Sequence, residues 1–199
     1  MEAVDSLLAG EGVLNMLNIR YFIYSPEEAP IINTNGLGSA WFVEDLRWAK
    51  NADEEILMLG TIDPGRTAIV DERFRTALAD VKPAADPSAS ATLDNYATNE
   101  MKYTVRSAAG GLVVFSAIWY GPDWQAYIDD KPVEHVRADY VLRAVNVPAG
   151  EHKVVFKVEG KAAATARPIM MASSILVLLL ALGAIGLELR RAFRGGAER

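Results

Sequence analysis

Residues 112–128 read LVVFSAIWYGPDWQAYI, and this stretch decides the fold of the second half of the chain. In residues 112–120 both alternating sets of side chains are apolar, which is typical of a central strand buried on both faces. Gly121-Pro122 interrupts the run before residues 124–128, so the stretch predicts a strand–break–strand hairpin. Short runs with the same period of two recur on both sides, at residues 102–107, 133–138, 140–147 and 152–159.

Turn signals separate these runs. VPAG, at residues 147–150, has Pro at the second and Gly at the fourth turn position, which predicts a type I turn in a short hairpin. DDKP, at residues 129–132, joins two strands similarly, since Asp tolerates left-handed backbone angles. Six short strands at even spacing therefore predict an antiparallel β-sandwich or jelly-roll-like domain over residues 93–160.

The first 80 residues predict a mixed α/β lobe, so the expected fold class is α+β. Residues 81–92, VKPAADPSASAT, have little to bury and predict a linker or long surface loop. The predicted elements of the amino lobe are a helix at residues 4–17, a buried strand at 19–24, a segment at 40–49 that starts as a strand and can turn helical, a capped helix at 51–60 and a strand at 67–74.

The carboxyl end contains PIMMASSILVLLLALGAIGL, residues 168–187, without one charged side chain. About 20 apolar residues cross a bilayer as a helix, so residues 168–188 predict a transmembrane helix with the lipid bilayer as its partner. Residues 189–199 form a basic tail, and the positive-inside bias places this tail in the cytoplasm and residues 1–167 outside it. The amino terminus has no basic region followed by an apolar core, so two alternatives stay open: a cytosolic domain with a tail anchor, or the end of a longer multi-pass protein. We favour the second.

The sequence offers little material for catalysis. It has no cysteine and two histidines, His135 and His152, which lie at exposed-looking strand positions without a local set of metal ligands. No nucleophile elbow occurs, and the formal charge of −6 argues against nucleic-acid binding. Residues 33–41 contain a glycine-rich loop that favours a tight turn before a strand over phosphate binding. We expect no catalytic residue, metal or cofactor, and a solvated surface for the acidic pairs Glu27-Glu28, Glu54-Glu55 and Asp129-Asp130.

The aromatic residues after the central strand have two interpretations. Trp119, Trp124 and Tyr127 can fill the core of the sandwich, or they can form a platform on which a sugar ring stacks, because a flat ring offers apolar area and a polar edge. Core packing explains most of these rings. The three residues are nevertheless the candidate glycan contacts of the chain.

Four motifs in order give the chain a family resemblance. They are an Asn-x-x-Tyr strand at Asn18–Tyr21, a Gly-x-Ala-Trp-Phe-Val segment at Gly38–Val43, an aromatic segment at Tyr120–Asp130, and a strand pair at Leu142–His152. With the terminal apolar helix, this arrangement resembles the C-terminal region of YfhO-like bacterial membrane proteins. One departure is that Asp129-Asp130 stands where an Asp-Gly turn is usual.

The resemblance implies a function that composition and spacing do not show. Full members look like many-helix glycosyltransferases that use polyprenyl-phosphate-linked sugars, and their catalytic acidic residues lie in early loops that this chain does not contain. The implied role is a non-catalytic extracytoplasmic region of a bacterial cell-membrane protein, which supports or binds envelope glycan and has upstream transmembrane helices as partners. The alternatives are a stand-alone membrane-anchored glycan-binding module and a structural assembly domain. The first predicts exposed aromatic rings, and the second predicts buried ones.

Overall fold

The computed structural model describes residues 12–121 and 123–195. Its helices are α1 (Gly12–Met16), α2 (Ala52–Leu59) and α3 (Lys161–Gly195), with a 3-10 turn at Glu72–Phe74. Its strands are β1 (Tyr21–Phe22), β2 (Ile31–Ile32), β3 (Ala40–Phe42), β4 (Asp45–Ala49), β5 (Thr67–Asp71), β6 (Ser90–Ala97), β7 (Glu100–Ser107), β8 (Gly111–Ile118), β9 (Trp124–Ile128), β10 (Lys131–Val133), β11 (Val136–Ala138), β12 (Leu142–Val147) and β13 (Gly150–Val158).

Two sheets form the sandwich. One is antiparallel, with the strand order β10-β9-β13-β7-β6, and the other has the order β3-β8-β12-β11-β5-β4 with a single parallel pair, β4 with β5. The predicted α+β class is confirmed. The second sheet takes β3, β4 and β5 from the predicted amino lobe and β8, β11 and β12 from the predicted sandwich domain, and the chain up to Glu159 forms one compact unit.

The central strand β8 is buried on both faces, as its pattern predicts. Val113 and Phe115 face the sandwich core between the two sheets, where Phe115 meets Phe156 edge to face with ring centroids 4.9 Å apart. Leu112 and Val114 face an outer core on the opposite side of the same sheet. Alternate side chains of one strand therefore fill two separate cores, which is why residues 112–115 are apolar on both faces.

Helix α2 covers part of the outer core and begins and ends as its sequence predicts. The Asn51 side chain accepts a hydrogen bond from the backbone N–H of Glu54, at 2.9 Å, and Gly60 follows the last helical residue. Its acidic first turn is favourable next to the positive end of the helix dipole. Leu59 is buried in the outer core, which fixes this helix against the sheet.

Two predictions in the amino lobe are correct only in part. Residues 19–24 were expected to form a buried strand, but only Tyr21 and Phe22 pair, with β2, and Tyr21, Ile23 and Tyr24 are exposed. The strand belongs to a separate two-stranded sheet, which does not bury two faces. Residues 40–49 contain strands β3 and β4 and no helix, because each pairs with a neighbouring strand. Of the helix predicted at 4–17, residues 4–11 lie outside the described part of the chain.

Two predicted hairpins are also wrong: the one around the Gly121-Pro122 break and the one around the VPAG turn at residues 147–150. β8 and β9 lie in different sheets, and so do β12 and β13, so both connections carry the chain from one sheet to the other. The turn at Asp129-Asp130 does join a hairpin, since Ile128 pairs with Lys131. Both Asp residues have positive φ, 48° and 64°, as the two-residue turns favoured in hairpins require.

Residues 81–92 are anchored by a side chain that the sequence did not single out. The Asp86 carboxylate accepts hydrogen bonds from the Ser107 hydroxyl, at 2.7 Å, and from the backbone N–H of Ala108, at 2.8 Å. Hydrogen bonds, first from the Ser88 hydroxyl, hold the pKa of Asp86 far below its usual range. Strand β6 begins at Ser90 inside this segment.

Helix α3 belongs to a second unit, which begins at Gly160. Ala166–Leu187 is long and apolar enough to cross a membrane, with 22 residues and a mean hydropathy of 2.4. At 1.5 Å per residue this span is ~33 Å long, close to the thickness of a hydrocarbon core. Pro168 lies inside the helix. The predicted apolar C-terminal helix is confirmed.

Candidate functional site

The three candidate glycan contacts occupy two different faces. Trp124 begins β9, and its strand neighbours Ala126 and Ile128 are buried in the sandwich core, where Trp124 also packs. Tyr127 follows Ala126 and, because side chains alternate along a strand, lies on the outer face of the same sheet. Trp119 lies just after β8 and is half-buried. The fold therefore does not place Tyr127 beside the two tryptophans.

Tyr127 is part of an outer-face contact. Its hydroxyl donates a hydrogen bond to the Glu159 carboxylate, and the Lys157 ammonium lies 5.6 Å from the centre of its ring. The hydrogen bond to Glu159 raises the pKa of the Tyr127 hydroxyl. The polar edge of this ring is therefore already engaged within the domain.

The tryptophans instead belong to a group that we name the Trp119 cluster. It consists of Trp119, Trp124, His135 and Arg143, together with Asp123, which directly precedes Trp124 in the sequence. The His135 ring lies 6.4 Å from the Trp119 ring between centroids, and the Arg143 guanidinium lies 4.1 Å from the centre of the Trp124 ring. Phe156 of the sandwich core contacts both His135 and Arg143, at 5.8 Å and 5.2 Å, and so connects the two halves of the cluster.

Arg143 enters the core through an irregular strand pair. Its register against β8 shifts between Leu142 and Arg143, where Leu142 pairs with Ile118 and Arg143 with Phe115. The Arg143 Nε donates a hydrogen bond to the carbonyl of Ile118, at 2.8 Å. Only 3% of the residue is exposed, and this burial lowers the pKa of Arg143 to about 10. Among the described residues no carboxylate forms an ion pair with it.

His135 is more buried than its predicted exposed position implies. Burial first, and then the charge of Arg143, lower the pKa of His135 to about 4, so the imidazole is neutral near pH 7. The strand predicted at residues 133–138 is divided between β10 and β11, and His135 lies in the gap between them. This break turns the ring toward Trp119 and Phe156 instead of solvent.

Four polar atoms of the Trp119 cluster are buried and have no hydrogen-bond partner in the described part of the chain: Trp119 Nε1, Asp123 Oδ1, His135 Nε2 and Arg143 Nη1. Leaving such a group unpaired costs about 1 to 3 kcal/mol each. The cluster combines nitrogen and oxygen groups with two half-buried indole rings, which is the composition of a site for a polar, ring-shaped ligand.

A second polar centre, the Glu55 cluster, consists of Glu55, Asp71, Arg137 and Asp139. Glu55 is fully buried, forms an ion pair with Arg137 and accepts a hydrogen bond from the backbone N–H of Tyr140, at 2.8 Å. Burial raises the pKa of Glu55 despite these partners. The expectation of a solvated Glu54-Glu55 pair is thus wrong for Glu55, because this side of α2 faces the sheet.

The sequence around Arg143 itself indicates an unusual buried charge. A charged residue at an inward position of the apolar run LRAVNV is unusual, because cations are almost never fully buried unless paired. Asp123, Asp139 and Arg137 carry no comparable signal, since their neighbours come from distant parts of the chain. In the described part of the chain, no group of three or more His, Asp or Glu side chains has the arrangement of a metal site.

The comparison with known protein families agrees with the motif resemblance. Residues 74–158 match the model of a family described as bacterial membrane protein YfhO. This match confirms a YfhO-like region, and it contains the whole Trp119 cluster. The motifs at Asn18–Tyr21 and Gly38–Val43 lie outside the matched residues. No curated protein and no solved structure matches the chain.

Proposed function

We propose that this chain is the non-catalytic, extracytoplasmic C-terminal region of a YfhO-like membrane protein that takes part in glycosylating cell-envelope material, and that the Trp119 cluster contacts the glycan. The YfhO-like region and the membrane-spanning helix support the membrane setting. The observation that carries the glycan contact is the set of four unpartnered polar atoms beside two half-buried indole rings.

Sugar binding suits this arrangement. A sugar ring offers an apolar face, which stacks on an indole, and hydroxyls that both donate and accept hydrogen bonds. The Trp119 N–H and the Arg143 guanidinium donate, whereas the Asp123 carboxylate accepts. Sugar hydroxyls that replace the missing partners would recover part of the free energy that the buried polar atoms cost.

The glycan contact is tested with the whole chain in lipid nanodiscs, titrated with chitohexaose and maltohexaose while tryptophan fluorescence is recorded. We expect at least one oligosaccharide to change the fluorescence. Trp119→Phe keeps an aromatic ring but removes the indole N–H, so its affinity should fall about two- to tenfold, the contribution of one hydrogen bond.

Trp48→Phe is the matched control, because Trp48 lies on β4 and contacts Arg75, outside the Trp119 cluster. It should leave the affinity unchanged. If neither oligosaccharide changes the signal, the glycan contact is refuted and the structural assembly role gains support. Transfer of sugar from a polyprenyl-phosphate donor by this chain alone would refute the non-catalytic role.

The proposed orientation is tested by cysteine labelling, which is simple because the chain has no cysteine. Ala85→Cys introduces a thiol at an exposed position before β6, and Ala197→Cys introduces one in the tail. In intact cells that produce the full-length protein, a membrane-impermeant maleimide should label the first variant and not the second. Labelling of the second variant alone would show that the orientation is the opposite of the proposed one.

A further inference from the structure

An apolar cavity lies in the outer core, outside the Trp119 cluster. It has a volume of about 400 Å³ and is lined mainly by side chains of α1, α2 and the segment after β11: Val13, Met16, Leu17, Ile56, Leu59 and Val141. Sites for small molecules typically span ~300 to 1,000 Å³ and combine an apolar lining with a few polar groups. The volume is therefore sufficient for a small aliphatic ligand.

Asp139 supplies the polar group in the wall of this cavity. The residue is fully buried, and its Oδ1 accepts a hydrogen bond from the backbone N–H of Ile69, at 2.8 Å. Among the described residues, none forms a hydrogen bond with its Oδ2. Burial raises the pKa of Asp139 to about 7, so both protonation states of this carboxyl are populated near neutral pH. A buried polar atom of this kind needs an explanation, and a role in binding a hydrogen-bonding group is one.

The backbone that carries Asp139 is strained. Asp139 and Tyr140 both have positive φ, 50° and 70°, and neither is glycine. The Glu55 carboxylate holds the segment by accepting the Tyr140 N–H, and Asp139 N donates to the carbonyl of Ile69, at 2.8 Å. Such strain costs roughly 1 to 3 kcal/mol per residue and is concentrated at binding sites, where it fixes a polar group in position.

We propose that this cavity binds an aliphatic alcohol, with the alkyl chain against the apolar wall and the hydroxyl on the free oxygen of Asp139. A hydroxyl both donates and accepts, so it satisfies the carboxyl in either protonation state. A fatty acid fits poorly, because the Glu55 cluster has three carboxyl groups and one cation, Arg137. The membrane-spanning helix also holds the protein beside a reservoir of aliphatic molecules.

The test uses the full chain in nanodiscs with an eight-carbon alcohol that carries a photoreactive diazirine, and with the matching carboxylic acid. After illumination, mass spectrometry locates the labelled residues. We expect the alcohol to label residues 13–17, 56–60 or 139–141, and to do so about two- to tenfold more than the acid, the range that one hydrogen bond provides. Equal labelling by the two probes, or labelling spread over the whole domain, would overturn the proposal.

Two neighbouring substitutions on α2 control for general hydrophobicity. Ile56 lines the cavity, whereas Leu57 is 74% exposed and does not line it. Ile56→Trp should abolish the site-specific labelling, and Leu57→Trp should retain it. Equal loss in both variants would overturn the proposal.

Asp139→Asn tests the role of the carboxyl. Asparagine keeps the shape and tolerates the positive φ, so the domain should still fold, but it removes the charge that opposes an acid. We expect the preference for the alcohol over the acid to shrink toward one. An unchanged preference would remove Asp139 from the site. Labelling that appears only after residues 1–10 are deleted would show that the chain's own residues fill the cavity, and would also overturn the proposal.

Discussion

The two histidines illustrate how single residues acquire opposite properties from their neighbours. The Asp129 carboxylate contacts the Nδ1 of His152, at 2.7 Å, and this hydrogen bond raises the pKa of His152 above its ordinary value of 6.5. The same hydrogen bond is the main reason that the pKa of Asp129 is lowered below 3.8. The pKa of His135 is shifted in the other direction, below 6.5, because its ring is buried beside Arg143.

These shifts predict two separate titrations. Since the chain has two histidines, proton NMR of the imidazole resonances should show His152 titrating above pH 6.5 and His135 titrating near pH 4. Asp129→Asn should return the pKa of His152 toward 6.5 and leave His135 unchanged. A single titration near 6.5 for both rings would contradict the structure.

The stability that the Asp129–His152 pair contributes depends on pH with a definite sign. The raised pKa of His152 makes its contribution complete below 6.5 and removes it as the pH rises through the folded value. The lowered pKa of Asp129 makes its contribution complete above 3.8 and removes it as the pH falls through the folded value. Asp129→Asn should therefore lower the Tm more at pH 5.5 than at pH 8.5.

At the scale of elements, the sequence predicts strands better than it predicts their partners. β7, β8, β9, β12 and β13 follow the period-two runs closely, because alternation depends only on which face of a strand is buried. The two wrong hairpins have a different cause: whether the next strand joins the same sheet depends on contacts far along the chain. β6 is a strand that the sequence does not predict, and its first three residues fall in the predicted linker at 81–92. SATLDNYA pairs with β7 at an edge of the sheet and therefore needs few apolar residues.

The same limit applies to the candidate site. Trp119, Trp124 and Tyr127 can be singled out from the sequence because aromatic residues stand out in it. The roles of His135 and Arg143 cannot, because these residues contact the tryptophans only after the two sheets pack together. Tyr127 was grouped with the tryptophans by proximity in sequence, although strand alternation places it on the opposite face from Trp124.

Gly110 lies directly against the backbone of the corner between β12 and β13. Gly110 has a φ of 74°, and a Cβ on it would lie 2.7 Å from the carbonyl oxygen of Val147 and 2.8 Å from backbone atoms of Pro148 and Ala149. Gly110→Ala should destabilise the domain by about 2 to 5 kcal/mol, because steric overlap adds to left-handed strain. The measurement is urea unfolding followed by circular dichroism.

Gly38→Ala is the matched control. Gly38 also has a positive φ, 85°, but a Cβ there meets nothing within 4 Å. It should cost only the strain, about 1 to 2 kcal/mol. Equal losses of unfolding free energy in the two variants would show that the close approach of Gly110 to the corner does not contribute to the destabilisation.

At the scale of the whole molecule, the chain consists of two units that meet in sequence at Glu159 and Gly160. Since the first unit contains both cores, residues 1–160 should fold without the membrane helix. We expect this fragment to remain in solution without detergent, to show a β-rich circular dichroism spectrum and to unfold in one cooperative transition. Aggregation or the absence of a transition would mean that the first unit needs the membrane segment.

The position of β13 has a consequence for the order of events during synthesis. β13 is the last strand in the sequence but the middle strand of its sheet, with β9 on one side and β7 on the other. Until Val158 leaves the ribosome, the β9–β10 hairpin and the β6–β7 hairpin have no connection within this sheet. The apolar helix α3 begins three residues later, at Lys161, so this sheet cannot be completed before synthesis of that helix is about to begin.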